Sequence, residues 1–220
     1  MKRIKKTKII ATLGPATSSV ESIESLIKEG VDVLRINFSH STHKEAEKMI
    51  REIREVNDSL STNTAILADL QGPKLRIGEV SANTELKDGD NIFINTGKEF
   101  IGDNNTLYLN YNNLYKDIKK GEKILIDDGK IILKVIDIDK KNQIIAEVVQ
   151  GGMLSSNKGF NLPNTNISQP ALTEKDIEDA IFSAKQNVDW IALSFVRHGS
   201  DIESLIKLLD KNTNHRIPVI

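Results

Sequence analysis

Residues 31–50 read VDVLRINFSHSTHKEAEKMI. The opening of this stretch is an apolar run with the look of a buried strand, yet Arg35 stands inside it, between Leu34 and Ile36. An unpaired guanidinium in such a place carries a heavy desolvation penalty, so the position calls for a partner. Asn37, Ser39 and His40 follow at once, and then Thr42 and Glu45 spell a capping box that announces an amphipathic helix.

The same order extends to both sides. KIIATL (8–13) precedes SVESIESLIKEG (19–30), and AILADL (65–70) follows the helix begun at Thr42. Ser18 with Glu21 forms a second capping signature, and Gly30 closes the first helix. Strand, helix and strand at this spacing imply right-handed crossovers and a parallel sheet covered by helices. Between residues 71 and 168 the rhythm stops. Short runs rich in Ile, Val, Leu and Thr are separated by KDGD, GDNN, KKGE and DKKNQ, and ILIDDGKIILKV (124–135) is a hairpin bent at Asp-Gly. This is an antiparallel β module. The first pattern then returns in TEKDIEDAIFSAKQN, DWIALSF, SDIESLIKLLDKN and the start of another strand, RIPVI, with Thr173–Asp176 and Ser200–Glu203 as further capping pairs.

The organisation expected is an α/β domain in two segments, 1–71 and 169–220, interrupted by an inserted β domain over 72–168. The last apolar run ends at Ile220, which leaves a parallel edge uncovered, and the pattern therefore implies further residues beyond it.

Composition excludes several classes. Lys and Arg number 30 against 31 Asp and Glu, so bulk charge gives no reason to expect binding to nucleic acid or an anionic membrane. With no cysteine, disulfides and thiolate metal sites are excluded, and a reducing cytoplasm is the default. The histidines, His40, His43, His198 and His215, show no metal-ligand spacing. The basic start MKRIKKTKII is broken too soon for a signal peptide, and no window approaches the roughly 20 apolar residues of a membrane span.

In parallel α/β folds ligands bind beyond the carboxyl ends of the strands. Polar residues gather there as GPATSS, NFSHST, DLQGPKLR and SFVRHGS. Arg35 is suited to hold carboxylate or phosphate oxygens through two parallel hydrogen bonds; the alternative is a structural ion pair with a carboxylate such as Asp69. Asn37 and Ser39 can coordinate a cation or orient a ligand, or they can be turn and capping residues. His40 is either an anion contact or a solvated loop side chain. Lys74 and Arg76, after the rigid Gly72-Pro73 turn, suit phosphate or are merely solvated. Lys158 lies on a glycine-flanked loop that either closes over a nucleotide or stays exposed. Asp127 and Asp128 are hairpin-turn acids first and ligands second. Neither GxGxxG nor GxxxxGK[ST] occurs, so dinucleotide-fold and P-loop readings lose their support.

Taken together, TKIIATLGPAT, GVDVLRINFSHSTH, ADLQGPKLRIG, ILIDDG, NKGFNLP, LTEKDIEDA and DWIALSFVR resemble the pyruvate kinase family in order and spacing over essentially the whole chain. The resemblance implies an α/β fold in which the first half of a (β/α)8 TIM-type barrel is interrupted by an inserted small antiparallel β-barrel domain acting as a lid. It implies transfer of phosphate from phosphoenolpyruvate to ADP, giving pyruvate and ATP, in a cytoplasmic homotetramer. Arg35 corresponds to the family's phosphate-holding arginine, with Ser194 and Phe195 lining the substrate pocket. Asn37, Phe38, Ser39 and His40 match a nucleotide-contacting segment, joined by Arg76, Lys158 and Asp128 from the lid. Asn37, Ser39, Asp69 and Leu70 match the monovalent-cation site. There the family's potassium-dependent members carry Thr and Glu where this chain has Leu70 and Lys74, and the Lys74 ammonium is expected to supply the charge of potassium. The family's catalytic lysine and its Mg2+ ligands correspond to positions beyond Ile220, so the resemblance implies no useful catalysis from these residues alone. The other expectation is a non-catalytic protein that binds a phosphorylated ligand or pairs with a full-length subunit.

Overall fold

In a computed structural model the chain divides into two compact units, Met1–Pro73 with Pro170–Ile220, and Lys74–Gln169. Residues 6–139 and 142–220 are described. The basic residues that begin the chain and the middle of the DKKNQ turn lie outside them.

The first unit begins with β1 (Ile10–Thr12), α1 (Val20–Lys28), β2 (Val33–Asn37), α2 (His43–Leu60) and β3 (Ala65–Asp69). The second unit contributes β4 (Glu85–Leu86), β5 (Asn91–Asn95), β6 (Thr106–Tyr108), α3 (Leu114–Asp117), β7 (Lys123–Ile126), β8 (Ile131–Ile138), β9 (Ile144–Gln150), β10 (Gly152–Met153) and β11 (Phe160–Asn161). The chain then returns to the first unit with α4 (Glu174–Lys185), β12 (Trp190–Ala192) and α5 (Gly199–Asn212).

Local chemistry sets the helix ends. Thr42 caps α2 through a reciprocal box with Glu45, and Thr173 caps α4 in the same way with Asp176. Such a cap contributes about 1 kcal/mol. Gly30, at φ 96°, ends α1: its N–H donates to Ile27 and that of Val31 to Leu26, the pattern of a Schellman turn. Two expected caps are corrected. Gly14 to Thr17 closes a turn of its own, which delays the first helix by a residue, and Ser19 rather than Ser18 caps it. In the last helix Ser200 lies inside the first turn. Asp201 does the capping instead, because its carboxylate accepts from two amides, Arg197 at 3.0 Å and His198 at 3.1 Å, and these bonds hold it below the usual carboxylate range.

Strands β1, β2, β3 and β12 form one parallel sheet in that order, and Ile191 makes a further parallel bridge to Val219, where the next strand begins. Sequential parallel order with helical crossovers gives the curled sheet of a half-barrel, the fold class expected. One core lies under the helices. It gathers Ile23 and Ile27 of α1, Ile50 and Ile53 of α2, Ala180 and Ala184 of α4, and Leu205 and Leu209 of α5 against Leu34, Ile36, Ile66 and Ile191. Leu34 and Ile36 are fully buried, whereas Val33, Arg35 and Asn37 are not. Successive side chains of a strand point to opposite faces, so Arg35 leaves the core on the side away from Leu34 and Ile36. This explains how an arginine fits inside an apolar run.

In the second unit six strands pair in the order β11, β7, β8, β9, β5, β6, with Asp127, Asp128 and Gly129 at positive φ in the bend between β7 and β8. The sheet is not wholly antiparallel as expected: β5 and β6 run parallel, Phe93 opposite Thr106, because the intervening chain crosses back rather than turning in a hairpin. Arg76 bridges to Gly159 and Ile77 to Leu109, so residues 76–77 stitch the β11 side to the β6 side. The unit has its own core, including Ile92, Leu107, Ile124, Leu133 and Ala146. Among the described residues no helix is long and apolar enough to cross a membrane.

Candidate active site

The register of the parallel sheet aligns the carboxyl ends of its strands. Thr12 lies opposite Arg35, Asn37 opposite Asp69, and Asp69 opposite Ala192. Arg35 therefore sits between two polar neighbours. Its Nη1 donates to Thr12 Oγ1 at 2.7 Å, its Nε to Asp69 Oδ2 at 2.8 Å, and its Nη2 to the same oxygen. The pair is partly open to solvent, with 30% of the arginine side chain and 15% of the aspartate exposed. The ion pair with Asp69 is thus present. Asp69 is its partner in the free protein, yet the guanidinium remains accessible and is fixed in orientation by two side chains.

The loop after β2 is a tight turn. Asn37 Oδ1 accepts the Ser39 N–H at 2.9 Å, and the His40 N–H donates to the Asn37 carbonyl at 3.0 Å. Asn37 thus acts here as a turn residue. His40 is exposed, and Phe38 is fully buried. Asn37 and His40 also border a cleft of about 570 Å3, lined further by Gly14, Pro15, Glu45 and Glu52. A larger hollow of about 850 Å3 lies at the amino ends of the strands, against Ile10, Val33, Leu67, Trp190 and Ile220. Its two lysines, Lys8 and Lys28, are paired with Asp32 and Glu24, and it lies at the opposite ends of the strands from Arg35, so size does not identify the site.

The loops after β3 and β12 interlock. Ser194 Oγ donates to the Leu70 carbonyl at 3.0 Å. Phe195 takes the left-handed conformation, φ 59°, and its ring lies over Gly72, where a Cβ would come within 2.7 Å of it. A left-handed non-glycine residue is a strained backbone held by its surroundings, and such positions cluster at functional sites. Leu70 itself is buried.

Among the four positions matching a monovalent-cation site, three oxygens already accept hydrogen bonds within the protein. Asn37 Oδ1 accepts from Ser39, Asp69 Oδ2 from Arg35, and the Leu70 carbonyl from Ser194. Among the described residues no group of three or more His, Asp or Glu is gathered as a metal-ligand cluster.

The second unit carries its own charged cluster. Asp127 pairs with Lys158 through Oδ1 at 3.0 Å and with Lys130 through Oδ2 at 2.9 Å, and the two ammonium groups hold its carboxyl below the usual range. Arg76 Nη1 donates to the Asn157 carbonyl at 2.6 Å, beside Lys158. Asp127 is therefore the acid that meets Lys158, and the Asp128 residue is exposed.

Some partners were missed in the sequence. Thr12 became visible only through the strand register. At the N-terminal end of α4, Lys175 donates to the Phe38 carbonyl at 2.8 Å and Asp176 accepts the Gly72 N–H at 3.0 Å. The Thr173–Asp176 cap marked this helix start, but nothing local marked what it touches.

The family model described as pyruvate kinase, barrel domain, matches residues 4–220. The chain is 44% identical over 217 residues to the pyruvate kinase of Corynebacterium glutamicum, covering 98% of this chain and 45% of that protein. It is 38% identical over 218 residues to the pyruvate kinase of Clostridium perfringens, covering 99% and 46% respectively. The pyruvate kinase of Mycobacterium tuberculosis is 38% identical over 217 residues, with 98% and 45% covered. The chain belongs to the pyruvate kinase family. It spans less than half the length of these relatives.

Proposed function

We propose that the polypeptide carrying these residues transfers the phosphoryl group of phosphoenolpyruvate to ADP in the cytoplasm, as part of a homo-oligomer. The observation that carries this reading is Arg35: an accessible guanidinium at a strand end, braced by Thr12 and Asp69, in a chain of the pyruvate kinase family. A planar cation fixed in this way is suited to a phosphate, which it can hold through two parallel bonds. Ser194 and Phe195 line the substrate side. Residues 37–40 contact the nucleotide at the cleft beside Pro15; in the inserted domain Arg76 and Lys158 are suited to nucleotide phosphates, and Asp128 is the acid of that domain assigned to nucleotide binding. Phosphoryl transfer depends on positioning and charge stabilisation. In this reading the present residues supply positioning, and the catalytic lysine and magnesium ligands come from positions these 220 residues do not include. Leu70 and Lys74 make the activity independent of potassium.

The test is pyruvate formation by the full-length polypeptide that contains these residues, followed through lactate dehydrogenase. Pyruvate should appear only when phosphoenolpyruvate and ADP are both present with Mg2+. A full-length protein that folds and binds phosphoenolpyruvate but makes no pyruvate would replace this reading with that of a non-catalytic phospho-ligand-binding protein.

A further inference from the structure

Two buried acids and one partly exposed lysine on α4 are not used by any step above, and they contact the loops that carry the site. Asp179, 2% exposed, receives Lys175 Nζ on Oδ2 at 2.6 Å and His43 Nε2 on Oδ1 at 2.7 Å. The His43 ring stacks on Phe182 at 4.3 Å with an interplanar angle of 6°, and the Phe38 ring meets both edge-on. Lys175, anchored in this way, places its second contact on the Phe38 carbonyl at 2.8 Å. One residue further on, Asp176, fully buried, accepts from Gly72 in the loop after β3.

A lysine that merely paired with Asp179 four residues ahead would act only within its own helix. Its contact with a main-chain carbonyl in another strand loop is different, because it fixes the peptide plane between Phe38 and Ser39. That peptide lies within the Asn37–Ser39 turn and directly before His40. We infer that Lys175, held by Asp179, is a positioning residue for the nucleotide-contacting segment 37–40. The inference rests on the proposed nucleotide role of that segment. Lys175 acts through the loop and not on the ligand. Nearly half its side chain is exposed, at 47%, so removing its charge opens no cavity in the core.

The experiment is ADP and phosphoenolpyruvate binding by titration calorimetry, on the full-length polypeptide, with Lys175→Met, Lys175→Arg and, as a charge control on α5, Lys207→Met. Lys175→Met should weaken ADP binding about tenfold, the loss of one charge-assisted hydrogen bond. It should leave phosphoenolpyruvate binding within about twofold, the scale of weak surface effects. Lys175→Arg, which can still reach a carbonyl, should restore most of the loss, and Lys207→Met should change neither ligand. Equal ADP affinity in Lys175→Met and the unaltered protein would overturn the inference alone. Loss of both ligands together with a lower thermal midpoint would overturn it in favour of a purely structural role. No ADP binding by the unaltered protein would overturn the nucleotide reading of residues 37–40, and the inference with it.

Discussion

Arg35→Lys in the full-length polypeptide should lower kcat/KM for phosphoenolpyruvate by about 10- to 100-fold, the range expected for loss of one charge-assisted hydrogen bond. Lysine keeps the charge. It does not keep the fork of donors with which Arg35 reaches Thr12 Oγ1 and Asp69 Oδ2 at the same time. An ammonium drawn to Asp69 is also a worse partner for an incoming phosphate, because one point charge must serve both. The thermal midpoint should move little, since the pair is partly solvated and such pairs contribute little to stability. The opposite pattern, normal kinetics with a large loss of stability, would make the Arg35–Asp69 contact a structural ion pair and remove the phosphate site from this strand end.

Replacing potassium by tetramethylammonium should leave turnover within about twofold, because the positive charge is proposed to come from a fixed lysine instead of a bound ion. Leu70 and Lys74 are the residues behind this expectation. Asn37 Oδ1, Asp69 Oδ2 and the Leu70 carbonyl each accept a hydrogen bond from within the protein. The paired substitution Leu70→Thr, Lys74→Glu should turn the enzyme into one that loses at least tenfold in rate without potassium, equivalent to about 1.4 kcal/mol. Turnover of the unaltered enzyme that collapses in tetramethylammonium would refute the idea.

Much of the fold could be read from local signals. Thr42 with Glu45 and Thr173 with Asp176 mark helix starts because a capping box is built from neighbours in sequence. The β7–β8 hairpin was legible for the same reason, with Asp127, Asp128 and Gly129 taking positive φ at the bend. Cap positions shifted by a residue or more where a competing local bond intervened, the Gly14–Thr17 turn before α1 and the Asp201 carboxylate before α5. The parallel pairing of β5 and β6 was not legible, since short apolar runs carry no sign of their direction.

The site was legible as a set of residues and not as a set of contacts. Arg35 stood out because it breaks an apolar run, and Asp69 could be offered as one partner of several. Only the register, which sets Asn37 opposite Asp69 and Thr12 opposite Arg35, brings the three groups together. Lys175 and Asp179 stand one helical turn apart on α4, and no sequence signal set them apart. Their grip on Phe38 spans 137 residues of chain and depends on how α4 packs beside β2. Asp127 was noted as a turn acid, and its second role, holding Lys158, required the loop before β11 to return to the hairpin bend.

The most direct measurement is a calorimetric titration of phosphoenolpyruvate into the full-length polypeptide, unaltered and as Arg35→Met. Saturable binding by the unaltered protein, weakened at least tenfold by Arg35→Met, is the expected result and corresponds to about 1.4 kcal/mol of phosphate recognition. Equal affinity in the two proteins, with Arg35→Met still folded, would place phosphoenolpyruvate elsewhere and contradict the proposal that the arginine at the end of β2 holds its phosphate.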